Sequence, residues 1–141
     1  MPLEVGHAGF RVQFFGYQFP DSDDFWDGNW LTTEISCETE NARINFRDNC
    51  IRNVELRSFE EQLQSLNDRR AKSAELQPME PYVAWRIATQ GSLGQLSSEI
   101  GLKPGCDESH SFVFTIDRSY IPPLVQQIRS VLYAYPVRGE P

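Results

Sequence analysis

Three windows in the first third of the chain alternate apolar and polar residues with the period of a half-buried strand. Within residues 8–17, Phe10, Val12 and Phe14 alternate with Arg11 and Gln13. Over residues 30–37, Leu31, Thr33, Ile35 and Cys37 share one face, with Trp30, Thr32, Glu34 and Ser36 on the other. After the polar turn Glu38–Asn41, Ala42, Ile44 and Phe46 alternate with Arg43, Asn45 and Arg47. The last two windows predict a hairpin with one buried face. Helical spacing follows. Ser58 and Glu61 form a capping-box pattern, and Phe59, Leu63 and Leu66 fall at i, i+4 and i+7. This predicts a helix from Ser58 to near Asp68, then a mobile surface loop over the polar stretch Asp68–Glu80.

Strand periodicity returns in the second half. Val83, Trp85 and Ile87 share one face of Tyr82–Thr89, Gly91 marks a turn, and Ser92–Ile100 alternates more weakly. Gly101–Gly105 reads as a loop, and Phe112, Phe114 and Ile116 define a last strand. A second helix is expected after a cap at Asp117 or Ser119, with Pro122 and Pro123 in its first turn, where they cost no intrahelical hydrogen bond. Its stripe of Ile121, Leu124, Val125, Ile128, Val131, Leu132 and Tyr135 is the strongest amphipathic signal present, and it stops before Pro136. The order predicts an α+β fold: one antiparallel sheet of about six strands packed by two helices, the C-terminal one long. With no internal repeat or linker, the 141 residues are expected to form one domain (1–141).

Composition narrows the function classes. No run approaches the roughly 18 apolar residues of a membrane span, and Met1–Gly6 shows no secretory pattern. Cys37, Cys50 and Cys106 are an odd, sparse set without a CxxC pair, which fits reduced thiols in a cytoplasmic protein. Net charge is -7, and residues 1–70 carry 13 of the 20 acids against 7 of the 13 bases. That imbalance repels nucleic acid and anionic membranes, so binding to either is not expected. It leaves a basic protein partner, a metal ion or solubility as explanations.

The excess is concentrated in one segment. Gly16–Leu31 holds Asp21, Asp23, Asp24 and Asp27 together with Tyr17, Phe19, Phe25, Trp26 and Trp30, and no Lys or Arg occurs between Arg11 and Arg43. Acids alone would read as a disordered tail, but each ring needs something to pack on. The expectation is an acidic loop pinned to the sheet by Tyr17 and by buried Trp26 and Trp30, presenting Asp21, Asp23, Asp24, Asp27 and Glu34 to a partner. The bland alternative is that the tryptophans cap the sheet and the aspartates serve turns. Against the EF-hand pattern, Asp23, Asp27, Gly28 and Glu34 match, but Phe25 occupies an oxygen-ligand position and no helix flanks the loop, so no metal is expected. The two histidines, His7 and His110, are isolated, and no catalytic motif or phosphate loop is present. No catalytic site or cofactor is assigned. Arg43, Arg47, Arg52 and Arg57, the one basic cluster, read as partners for neighbouring acids.

Gly16-Tyr17-Gln18-Phe19-Pro20, followed after four residues by Phe25-Trp26-Asp27-Gly28-Asn29-Trp30-Leu31, resembles the WapI-like bacterial immunity proteins and their uncharacterised relatives. These open with a strand ending in a GYQ-x-P turn, a WD-x-NWL motif and a hairpin leading to a helix. They close with a strand and a long amphipathic helix ending in a Phe/Tyr-Pro pair, here Tyr135-Pro136. The element order is similar along nearly the whole chain. Phe46–Cys50 and Ser92–Gly105 depart from the pattern. The resemblance implies a non-catalytic antidote that binds the toxic domain of a polymorphic toxin, and the acidic charge makes a basic domain the expected partner. The alternative from another class is a small enzyme or ligand-binding domain, which a deep pocket joining a histidine or cysteine to a carboxylate would favour.

Overall fold

In a computed structural model that describes residues 2–91, 93–105 and 107–141, the chain is α+β, with eight strands rather than about six. They divide between two antiparallel sheets of four instead of forming one. The first sheet is β1 (Leu3–His7), β2 (Phe10–Tyr17), β3 (Trp30–Glu38) and β4 (Arg43–Arg52), in that order. The helix α1 (Asn53–Asn67) then leads to the second sheet. This comprises β5 (Ser73–Leu76), β6 (Val83–Gln90), β7 (Gln95–Leu102) and β8 (His110–Asp117), again as a meander. A single 3₁₀ turn, Arg118–Tyr120, enters α2 (Ile121–Ala134). Neither helix is long and apolar enough to cross a membrane. Ser92 and Cys106 lie outside the described residues.

The alternating faces settle as the pattern requires. Phe10, Val12, Phe14, Leu31, Ile35 and Cys37 are buried from the first sheet, and Val83, Trp85, Ile87, Leu96, Ile100 and Leu102 from the second. Both helices bury their stripes in the same cluster, α1 through Phe59, Leu63 and Leu66 and α2 through Leu124, Ile128 and Val131. Trp85 sits where these surfaces meet. Its ring packs edge-on to Phe10 at 4.9 Å and against Phe59 at 5.1 Å, and its Nε1–H donates to the buried Ser98 hydroxyl at 2.9 Å.

Two strands and the start of α1 differ from the sequence expectation. β1 and β5 are short, each with two inward apolar residues, Leu3 and Val5 or Ala74 and Leu76, too few for a periodic signal. β5 therefore occupies part of the expected loop at Asp68–Glu80. α1 begins at Asn53, so Ser58 and Glu61 lie inside the helix and not at its start. The N-terminal carboxylate is Glu55, which accepts from the Arg52 backbone N–H at 2.7 Å and from its guanidinium at 3.0 Å. At the other helix, Asp117 caps the entering 3₁₀ turn by accepting from the Ser119 N–H at 2.8 Å.

Candidate partner-binding surface

The acidic segment is the connection between β2 and β3, and it sits beside the first turn of α1 and the end of α2. Its own residues shape it into tight turns. Asp24 accepts the Asp27 N–H on its carboxylate at 2.9 Å and the Gly28 N–H on its carbonyl at 2.7 Å. A Cβ on Gly28 would lie 2.4 Å from that carbonyl oxygen, so only glycine fits there. The Ser22 hydroxyl accepts from the Asp24 N–H, and the Gln18 N–H donates to the Trp30 carbonyl where the strands part.

What fastens the loop to the body is polar. Asn29 is fully buried, and its side chain donates to the carbonyls of Phe25 (2.8 Å) and Arg138 (3.0 Å) while accepting from the Arg138 N–H (2.8 Å). Asn53, also fully buried, donates to Asn29 Oδ1 at 3.2 Å and to the Tyr135 carbonyl at 3.0 Å. The loop, α1 and the chain after α2 therefore share one side-chain network. Arg138 completes it. Its guanidinium donates to the carbonyls of Phe19, Pro20 and Gly28 and lies 3.6 Å from the centre of the Tyr17 ring. The Tyr17 hydroxyl donates in turn to the Pro136 carbonyl, and its ring meets Tyr135 edge-on. Gly139, at φ +73°, is packed so closely that a Cβ would stand 2.6 Å from the Asp23 carbonyl.

The expected site residues are distributed accordingly. Asp21, Asp23, Asp24 and Asp27 are exposed on the loop. Glu34 stands apart from them on β3, where it pairs with Arg47 at 3.4 Å. Tyr17 is half-buried under Arg138, and Trp30 is half-buried with the Arg52 guanidinium 5.3 Å from its ring centre. Trp26 corrects the expectation. It is 57% exposed, resting only an edge on Phe25 at 5.1 Å, because Asn29 and Arg138 hold the loop and leave its ring free. Phe19 is also exposed on the loop. Sequence reasoning named Asn29 only within the WD-x-NWL motif and missed Asn53, Arg138 and Gly139; Asn29 and Asn53 are 24 residues apart, and each reaches the chain after α2 across more than eighty residues. Among the described residues, no three His, Cys, Asp or Glu side chains gather into a metal-ligand set.

A depression of about 370 Å³ at the opposite end of the first sheet has His7, Cys37, Glu4 and Glu38 among its lining residues. Its chemistry is subdued. Burial pushes the Cys37 thiol up to about 11, and Cys50 elsewhere in the core up to about 12, so neither supplies a thiolate near neutral pH. His7 is committed to structure. Its Nδ1 bonds the Ala8 carbonyl at 2.9 Å and its Nε2 the Ser98 hydroxyl at 2.8 Å, so Nδ1 carries the proton and Nε2 accepts.

The fold and loop thus define an α+β protein presenting fixed carboxylates and two exposed aromatic rings on one surface. Residues 4–136 match the WapI-like immunity protein family, and the chain belongs to that family. No curated protein matches it.

Proposed function

We propose that the protein is a cytoplasmic antidote that neutralises a toxin by direct, non-catalytic binding through the β2–β3 loop. The observation that carries this reading is the clamped loop itself. Four aspartates are held in place by a buried amide network and one guanidinium while Phe19 and Trp26 stay in solvent. A stability role alone gives no reason to leave two large rings exposed beside unpaired acids. Aromatic anchors ringed by charge are the usual make-up of an interface hot spot, and fixed carboxylates speed encounter with a basic partner. The raised thiols and the neutral, hydrogen-bonded His7 support the non-catalytic part.

The test uses the cognate toxic domain. Changing Asp23, Asp24 and Asp27 to Asn should slow association about tenfold or more at low ionic strength and flatten its salt dependence. Asp24→Asn keeps a side-chain oxygen for the Asp27 N–H, so folding is preserved. Unchanged association kinetics in a folded triple variant would place the interface elsewhere.

A further inference from the structure

Each of the two sheets has two edges, and three of the four edges are closed by recognisable devices. β1 lies against α2, and its Gly6 N–H donates to Gln127 Oε1 at 2.9 Å. β5 lies against α1, and its Glu75 N–H donates to Gln62 Oε1 at 2.9 Å. In both cases a helix glutamine occupies an edge amide that would otherwise invite another strand. β4 carries Arg43, Arg47 and Arg52 and an irregular register opposite Leu31–Thr33, two features that discourage strand addition. β8 has none of these protections. It pairs with β7 in unbroken register from Gln95↔Asp117 to Leu102↔His110. Its central residues, Ser111-Phe112-Val113-Phe114-Thr115-Ile116, contain no charge, proline or glycine. Val113 is 67% exposed, and among the described residues no group outside the β7 ladder hydrogen-bonds the backbone of Ser111–Ile116. Native proteins rarely leave a long, flat, uncharged edge in water.

We propose that β8 pairs antiparallel with β8 of a second copy of this chain, joining the two second sheets across a two-fold axis. Opposed residues must share a sheet face, which restricts the register. Centred on Val113, it sets Val113 against its own copy, Ser111 against Thr115 and Phe112 against Phe114. No like charges are opposed. Between Ser111 and Ile116 the edge holds none of the acids that would draw a basic partner; what it offers there is uncharged and complementary to itself. Such an isologous contact consumes the open edge on both copies and closes at two instead of growing into a fibre. Two chains of net charge -7 repel as a whole, so screening by salt strengthens the dimer. The toxin association proposed above has the opposite salt dependence, and the two readings fail independently.

Sedimentation velocity of the full chain from micromolar to submillimolar concentration tests this at low and high salt. We expect a concentration-dependent dimer whose apparent Kd falls severalfold as salt is raised. Val113→Lys should be monomeric throughout with an unchanged circular dichroism spectrum. Should that variant fold poorly, Val113→Cys in a Cys106→Ser background keeps the test: mild oxidation should link it to itself across the axis. A monomer at every concentration, with no Val113→Cys cross-link, overturns the proposal. So does a dimer that survives Val113→Lys. Protection of the β8 amides from exchange only when the toxic domain is added would instead assign the edge to a strand of that partner.

Discussion

Arg138 acts on the loop through the shape of its side chain as well as its charge. A planar guanidinium presents donors in several fixed directions, and here they reach the carbonyls of Phe19, Pro20 and Gly28 while the plane lies over Tyr17. Hydrogen bonds to a charged group are each worth about 1.5–3 kcal/mol before the cost of ordering the side chain. Arg138→Ala is therefore expected to lower unfolding free energy by about 2 kcal/mol in urea denaturation. It should also raise hydrogen exchange at the Asp27 and Gly28 amides, and Arg138→Lys should restore little, since an ammonium is a point charge. His7 contributes in the other direction of pH. Burial lowers its pKa from 6.5, with the bond to the Ala8 carbonyl opposing more weakly. The unfolded chain therefore takes up the proton first as pH falls through 6.5, and stability declines from there toward the lower folded value. Above that window both states are neutral and the stability is fully present. His7→Gln should remove this part of the pH dependence, which denaturant midpoints across pH 5–8 would reveal.

At the level of elements, the β2–β3 connection behaves as a preformed part of the surface. Gly28→Ala forces a Cβ into the Asp24 carbonyl, so the turn has to open, and a loss of about 1–3 kcal/mol follows. Trp26→Ala should do the reverse. With its ring mostly in solvent, the change is expected to stay within about 0.5 kcal/mol in stability yet weaken toxin binding by about 2 kcal/mol or more. A large drop in melting temperature with unchanged affinity would show that the ring packs for stability after all. The same elements mark what the chain discloses by pattern alone. Faces with three or more alternating apolar residues, such as Phe10–Phe14 or Val83–Ile87, declare themselves because burial imposes a period on them. So does the stripe of α2. β1 and β5 escape because two inward residues make no period, and because their edges are closed by Gln127 and Gln62, polar residues that no hydrophobic pattern registers. In the loop, the aspartates and rings were legible as composition, whereas the amides of Asn29 and Asn53 and the Arg138 fork are long-range contacts with no local signature. Ring composition therefore predicts burial for Trp26, whereas the anchoring belongs to Asn29 and Arg138.

Over the whole molecule, the two sheets are tied together by a core whose least replaceable member is Trp85. It reaches Phe10 on the first sheet and Phe59 on α1, and its Nε1–H shares Ser98 with His7, so one ring touches three separate elements and a polar chain. Such an arrangement couples the halves. If the first sheet unfolded alone, Trp85 would be left with apolar surface in water and Ser98 without its His7 partner, and if the second did, Phe10 and His7 would lose theirs. We therefore propose that residues 1–141 fold as one cooperative unit, although the two meanders are local in sequence and each could be imagined as a module. Truncating a buried tryptophan costs about 3–5 kcal/mol, a large share of the 5–15 kcal/mol typical of a domain. Trp85→Ala should consequently shift the entire transition to lower urea concentration, with far-ultraviolet circular dichroism and the remaining tryptophan fluorescence still moving together. Trp26 and Trp30 report on the first sheet and its loop, so they follow the half that does not contain the mutation. Separation of the two signals, with the first sheet melting at its original midpoint, would show that the sheets are independent units and that Trp85 only lies between them.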